Sequence, residues 1–434
     1  MNASTDFWIA ADKAHCWHPF TRQDDWVMGE PLVLTEAKGV WLTDSEGRRY
    51  IDGNSSIWTN IHGHAHPAIN AAIKEQLDRV SHTSYLGFAN PKASELAERL
   101  CAFFPEKTLE RVFFSDDGST AVECAVKMEI QFRLQSGVAG DAERTEFIAF
   151  DQAYHGDTMG AASLGGVSSF FARFRKFGFP VTHLRGLEEL EALSEEQIQR
   201  TAAVIIEPLV QGVNEIHVWP EGMLRELRAW CDQHGVHLIL DEVMTGFGRT
   251  GTMFACQREQ VIPDFLCVAK GITGGYLPLA ATLVTAEIYN GFLGGADRAF
   301  YYGHSYTANQ LGCAAALASL DVFEQEKTLE KLPAKGELLE GLLHEMAERC
   351  PHIHEVRRCG LVVGVELRRR DGKKFAYSER VGERVCLAAR AFELLIRPVL
   401  DTIVLMPPLS ITEGEIRQMC SAVESAIAEC SLEG

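Results

Sequence analysis

No two of the twelve cysteines scattered through this 434-residue sequence form a C-x-x-C pair. Without such spacing a zinc or disulfide framework is not expected, and the thiols read as reduced, mostly buried core filler. No run of about 20 apolar residues is present to span a bilayer. The opening stretch, MNASTDFWIAADKAHCW, lacks a basic segment followed by an apolar core, so no secretory signal is expected and the chain is read as cytoplasmic. Positive charge is also scarce: the formal net charge is −19, which argues against nucleic acid or anionic membrane as a partner. No G-x-G-x-x-G turn follows a strand-like run, which disfavours a nicotinamide dehydrogenase. No fixed-period repeat stands out, so a solenoid is not expected.

What remains is an ordinary globular composition, 46% hydrophobic and 23% charged, long enough for a large domain with a smaller companion. Residues 32 to 52 alternate short apolar runs with turn residues, as a small antiparallel meander does. HPAINAAIKEQLDRV and PKASELAERLCAFFP carry helical apolar spacing. In the middle, EFIAFD, AAVIIEP, VHLILDEV and FLCVAK are short and almost continuously apolar, the pattern of parallel strands covered on both faces. PEGMLRELRAWCDQHG reads as a crossover helix between Pro and Gly signals. Beyond residue 325 an amphipathic helical stretch leads to GLVVGVEL and TIVLMPPL, strand-like again. The division expected is 1–60, packing with the small domain; 61–325, the large domain; and 326–434, a small α+β domain.

Ligands in open α/β sheets bind beyond the carboxyl ends of the strands, so the polar residues there belong together. VIIEP ends on Glu207, with Gln211 just beyond; LILDEV ends on Asp241 and Glu242; CVAK ends on Lys270. VFFSDDGS runs into Gly118 and Ser119 at a helix start, a natural anion site. Singly, each has another reading: a lysine snorkelling to solvent, capping carboxylates, an ordinary Gly-Ser turn. Jointly they suit a phosphorylated aromatic aldehyde, pyridoxal 5′-phosphate (PLP). Lys270 would form a Schiff base, Asp241 would pair with the ring nitrogen, Gly118 and Ser119 would hold the phosphate, and Tyr154 in AYHGDT would cover the ring.

These residues closely resemble the class III, fold-type I aminotransferases. IIEPLVQG, LILDEVMTGFGRTG, VAKGITGGYLPLAATLVT and GHSYTANQLGCAAALASL stand in that family's order and spacing. The resemblance implies an α/β fold: a large domain with a mainly parallel sheet flanked by helices, plus a small α+β domain. It implies PLP as cofactor, with Lys270, Asp241 and Tyr154 catalytic and Gly118, Ser119, Glu207 and Ser305 also around the cofactor. It further implies a homodimer with shared active sites, Ser305 reaching the neighbouring subunit's phosphate. HCWHPFTRQ, DGNSSIWTNIHGHAHP and IRPVLDTIVLMPP are similar to members that aminate 8-amino-7-oxononanoate in biotin biosynthesis, using S-adenosylmethionine or lysine as donor. Phe20, Ile57, Trp58, Asp157, Gly303 and Arg397 are then expected around the substrates, Asp157 at the amino end and Arg397 at the carboxylate, with Arg249 as a support. Phe20 stands where adenosylmethionine users commonly have Tyr, Ile57-Trp58 where they have a Trp pair, and Val404 near an expected aromatic. Those departures match the lysine-using subgroup better. The alternative is an ω-amino acid aminotransferase of the ornithine, 4-aminobutyrate or β-alanine type. His62, His64 and His66 alternate in HGHAHP; a turn-rich loop lining the substrate entrance is expected there rather than a metal site, because Gly63 and Pro67 break a strand.

Overall fold

The computed structural model describes residues 4–432. At its centre is a seven-stranded sheet in the spatial order Leu109–Ser115, Ala280–Thr285, Phe265–Val268, His237–Asp241, Thr201–Ile206, Glu146–Phe150, Val181–Leu184. The four strands read from their apolar runs all lie in it, and Thr201–Ile206 and Phe265–Val268 are buried throughout. Every neighbouring pair is parallel except those made by Ala280–Thr285, which runs antiparallel to both its neighbours. That strand and the edge strand Val181–Leu184 were not picked out by the apolar-run criterion. VTHL is too short and too mixed to carry a period, and ATLVT reads as apolar without revealing its direction.

Helices cover both faces. Gly118–Gln135 starts on a capping box in which the Asp117 carboxylate accepts from Thr120 N at 2.9 Å. Met223–His234 is the crossover expected between Pro220 and Gly235, and Gly235 ends it in the left-handed region at φ 61°. Gln310–Gln325 buries most of its length against Pro67–Arg79 and Pro91–Cys101.

The meander forms as Leu34–Lys38, Trp41–Asp44 and Arg49–Asp52, and Leu394–Leu395 adds to it in parallel beside Arg49–Asp52. A second four-stranded sheet contains Ile353–Cys359, Val362–Leu367, Thr402–Leu405 and Arg397–Val399. Thr328–Arg349 and Glu413–Glu429 pack together beside it. All twelve cysteines are free thiols, and among the described residues no helix is long and apolar enough to cross a membrane.

One local conformation is unusual. Directly after Arg49–Asp52 and the linking residues Gly53 and Asn54, four consecutive non-glycine residues have positive φ: Ser55 48°, Ser56 50°, Ile57 65° and Trp58 70°. Left-handed backbone costs L-residues about 1–2 kcal/mol each, so a run of four needs the surroundings to hold it.

Candidate active site

Thr201–Ile206, His237–Asp241 and Phe265–Val268 are adjacent, and their carboxyl ends share one rim of the sheet. Glu207, Asp241 and Lys270 stand on that rim and line a cavity of about 500 Å³, together with Trp58, Gly118, Ser119 and Tyr154. Lys270 keeps some accessible surface, but it lines this cavity and is otherwise enclosed by protein. Burial lowers its pKa from the usual lysine value, against the pull of Asp241 and Glu207. Its Nζ lies 5.3 Å from the centroid of the Trp58 ring.

Asp241 is held from two sides. One carboxylate oxygen accepts from Val243 N at 3.0 Å, and the other is 2.7 Å from His155 Nδ1. A carboxylate can only accept, so His155 carries its proton on Nδ1. His155 Nε2 is buried with no partner among the described residues. Glu207 accepts from Tyr154 N at 3.1 Å and from Gly212 N at 2.9 Å. Burial, with Asp241 adding to it, pushes its carboxyl up to about 7.

Gly118 opens its helix where a Cβ would come within 2.5 Å of the Val243 side chain. Only glycine brings the helix start this close to the turn after Asp241. First-turn N–H groups have no partner four residues back, so this end of the helix offers donors to an anion. Ser119 Oγ accepts from Asp157 N at 3.0 Å, which ties the AYHGDT loop to the helix start. Tyr154 donates its hydroxyl to Asp157 at 2.7 Å; burial first, and then Asp157, raise the phenol above its usual range. Phe20 meets the Tyr154 ring edge-on at 6.3 Å.

These residues fit PLP. A deprotonatable amine, a fixed carboxylate and a helix N-terminus surround one cavity, the donor set for an aldehyde, a pyridine nitrogen and a phosphate. Among the residues named from sequence, Ile57, Phe20 and Asp157 sit beside that wall rather than in it. Gly303 and Ser305 belong to a segment outside it, where Ser305 O is 2.7 Å from His82 Nε2. Arg397 is exposed on an edge strand, its backbone N donating to Asn54 at 2.5 Å. Arg249 is fully buried away from the cavity and donates to Pro407 O and Asn60 O at 2.5 and 2.7 Å; burial brings its pKa down to about 9.

The three histidines depart from expectation, since none of them is in the cavity wall. His62 pairs with Ser319 at 3.0 Å and His66 with Glu326 at 3.0 Å, while His64 reaches Asp52 at 2.9 Å. They dock their segment onto the helix Gln310–Gln325 and its end and onto the N-terminal sheet, and burial drives His62 down to about 3. Among the described residues no cluster could hold a metal ion. His155 and Val243 carry no signal of their own in the sequence, though His155 follows Tyr154 in AYHGDT and Val243 stands two residues after Asp241 in LILDEV.

The displaced carboxyls predict a pH dependence. Glu207, and Glu242 at about 7 through burial, both have folded values above the ordinary 4.5. On these two carboxyls the folded chain holds more protons than the unfolded chain between about pH 4.5 and 7, so their contribution to stability is lost as pH rises through that window. Buried His62 works in the opposite sense between about 3 and its ordinary 6.5. For the cofactor-free chain the urea midpoint of Glu207→Gln should lose less, or gain more, between about pH 5 and 8 than that of the unaltered chain; parallel curves would show that Glu207 ionises normally.

A family model described as Aminotransferase class-III matches residues 23–427. The chain is 50% identical to adenosylmethionine-8-amino-7-oxononanoate aminotransferase of Nitratidesulfovibrio vulgaris, over 96% of this chain and 80% of that protein. It is 46% identical to the protein of the same name from Geobacter sulfurreducens, over 96% of each. The crystal structure of the Methanocaldococcus jannaschii protein of that name superposes with a TM-score of 0.94 at 39% identity, covering 98% of this chain and 99% of that one. An amine transaminase from an uncultivated Pseudomonas species, solved in its PLP-bound form, gives 0.89 at 35% identity, covering 95% and 98%.

Proposed function

The chain belongs to the class III aminotransferases, and from that premise we propose that it transfers an amino group to the ketone of 8-amino-7-oxononanoate, forming 7,8-diaminononanoate. One observation carries this reading. Lys270, Asp241 and the Gly118 helix start surround one cavity, in a chain half identical to a protein named for that reaction.

The enzyme uses PLP, which supplies an electrophilic aldehyde and a ring that takes up negative charge. Lys270 Nζ, its pKa lowered by burial, would hold the cofactor through its aldehyde and would carry a proton to and from the substrate carbon. Asp241, oriented by His155 and Val243, would hold a proton on the ring nitrogen. Gly118 and Ser119 would receive the phosphate, and Tyr154, whose N donates to Glu207, would cover the ring. Trp58, Ile57 and Phe20 exclude water around the substrate, with Asp157 for its amino end and Arg397 for its carboxylate. Two copies of the chain complete the sites, Gly303 and Ser305 of each serving the other, in the cytoplasm.

The donor is the finer question. The relatives are named for adenosylmethionine, whereas Phe20, Ile57 and Val404 lack the hydroxyl and the aromatic surface associated with that donor and favour lysine. The test is a pair of half-reactions on the PLP-loaded chain. Lysine should discharge the cofactor's yellow colour and adenosylmethionine should not. Adding 8-amino-7-oxononanoate should then restore the colour. Restoration by 2-oxoglutarate in place of the amino ketone would identify an ω-amino acid aminotransferase and sink the proposal.

A further inference from the structure

We infer that Asp52 is a positioning residue for the substrate pocket: its buried carboxylate holds the left-handed turn Ser55–Trp58 that presents Trp58 to Lys270. The inference rests on the reading above. Trp58 is the only residue of that turn in the cavity wall among the described residues. Its indole lies beside Lys270 Nζ and against Gly212, where even a methyl group would come within 3.0 Å of the ring. A small rotation of the turn therefore moves the wall directly.

The turn has no glycine and no proline to favour its conformation, so what holds it must come from contacts. Asp52, the last residue of its strand and 3% exposed, supplies two of them and a third contact to His64. One oxygen accepts from Ser56 N at 2.9 Å; the other accepts from Ser56 Oγ at 2.9 Å and lies 2.9 Å from His64 Nε2. His64 Nδ1 is 3.2 Å from Asn60 Nδ2, which can only donate. The imidazole is thereby set as the neutral tautomer that donates to Asp52. Asn60 closes the circuit: its N donates to Ser55 O, and its O accepts from buried Arg249. On the other side Ser55 Oγ donates to Met406 O at 2.7 Å and Asn54 Nδ2 to Val404 O at 3.1 Å, while Asn54 Oδ1 accepts from Arg397 N. Asp52 thus lies behind the wall, touching neither the cavity nor Lys270, and acts through the backbone that carries Ile57 and Trp58. Asn54, immediately before the turn, ties this segment to the strand bearing Arg397.

The experiment compares the PLP-loaded full chain with Asp52→Ala and with Asp52→Ala/Ser56→Gly. Glycine adopts positive φ freely, so the second change restores the turn without restoring the carboxylate. In Asp52→Ala the KM for the amino donor should rise about tenfold, with kcat within about threefold and with PLP content per chain unchanged. Amide exchange should accelerate in residues 53–60 and not in 265–270. Ser56→Gly should recover a substantial part of the KM. If Asp52→Ala does not fold, Ser56→Ala, which removes only the hydroxyl bond, should show a smaller KM rise of the same kind. An unchanged KM in soluble Asp52→Ala or, failing that, in Ser56→Ala would overturn the inference. So would equal losses in PLP content, kcat and KM, which mark a general structural role. Inactivity of the unaltered chain toward 8-amino-7-oxononanoate would instead overturn the proposed function, leaving the exchange result to judge Asp52.

Discussion

Replacing Lys270 with alanine should reduce transamination by on the order of 10⁴-fold or more, because one amine serves both as nucleophile and as proton carrier. Among the described residues no other lysine lines the cavity to substitute for it. The fold should survive: the change removes a group whose ionisation burial already opposes, and such removals are often neutral or stabilising. Borohydride reduction followed by intact mass measurement gives a second readout. The unaltered chain should gain the mass of one reduced cofactor, and the variant should gain none while keeping its melting temperature. A variant that still fixes the cofactor, or still turns over at a tenth of the normal rate, would show that a different amine does the work.

Asp241→Asn should be the next most damaging change, lowering kcat by about 10²–10³-fold with little effect on KM. The amide keeps the side chain's shape and its acceptor for Val243 N. His155 can meet the new NH₂ group by switching tautomer, since its Nε2 has no partner to lose. What disappears is the negative charge that keeps a proton on the ring nitrogen. Single-turnover rates with a saturating donor isolate that effect from binding. A rate within a fewfold of normal would mean that the charge at 241 is not needed and that the electronic argument fails.

Much of this site was legible because strand ends are legible. VIIEP, LILDEV and FLCVAK each put a charged residue immediately after an apolar run, and parallel strands bring such residues to one rim. The helix start at Gly118 carried its own signal in the Asp-Gly-Ser turn. His155 lay next to Tyr154 but had no pattern of its own, since its role depends on Asp241, 86 positions away. The turn Ser55–Trp58 was hidden for a different reason. SSIW has no glycine, so nothing local announces positive φ; the conformation is imposed by Asp52, Met406 and Asn60. The His62–His64–His66 spacing suggested a strand face or an entrance loop, whereas each imidazole found a separate partner, Ser319, Asp52 and Glu326, once the chain had folded.

The reversed strand Ala280–Thr285 has a consequence for chemistry. Because it starts at the pocket rim instead of ending there, the chain must double back over the rim within the few residues between Lys270 and Ala280. Gly275, Tyr276, Leu277, Pro278 and Leu279 lie along that return and roof the cavity. A forward-running strand would have carried the chain away over the far face and left the amine open to bulk water. In this protein the direction of a single strand thereby contributes to the burial that lowers the pKa of Lys270.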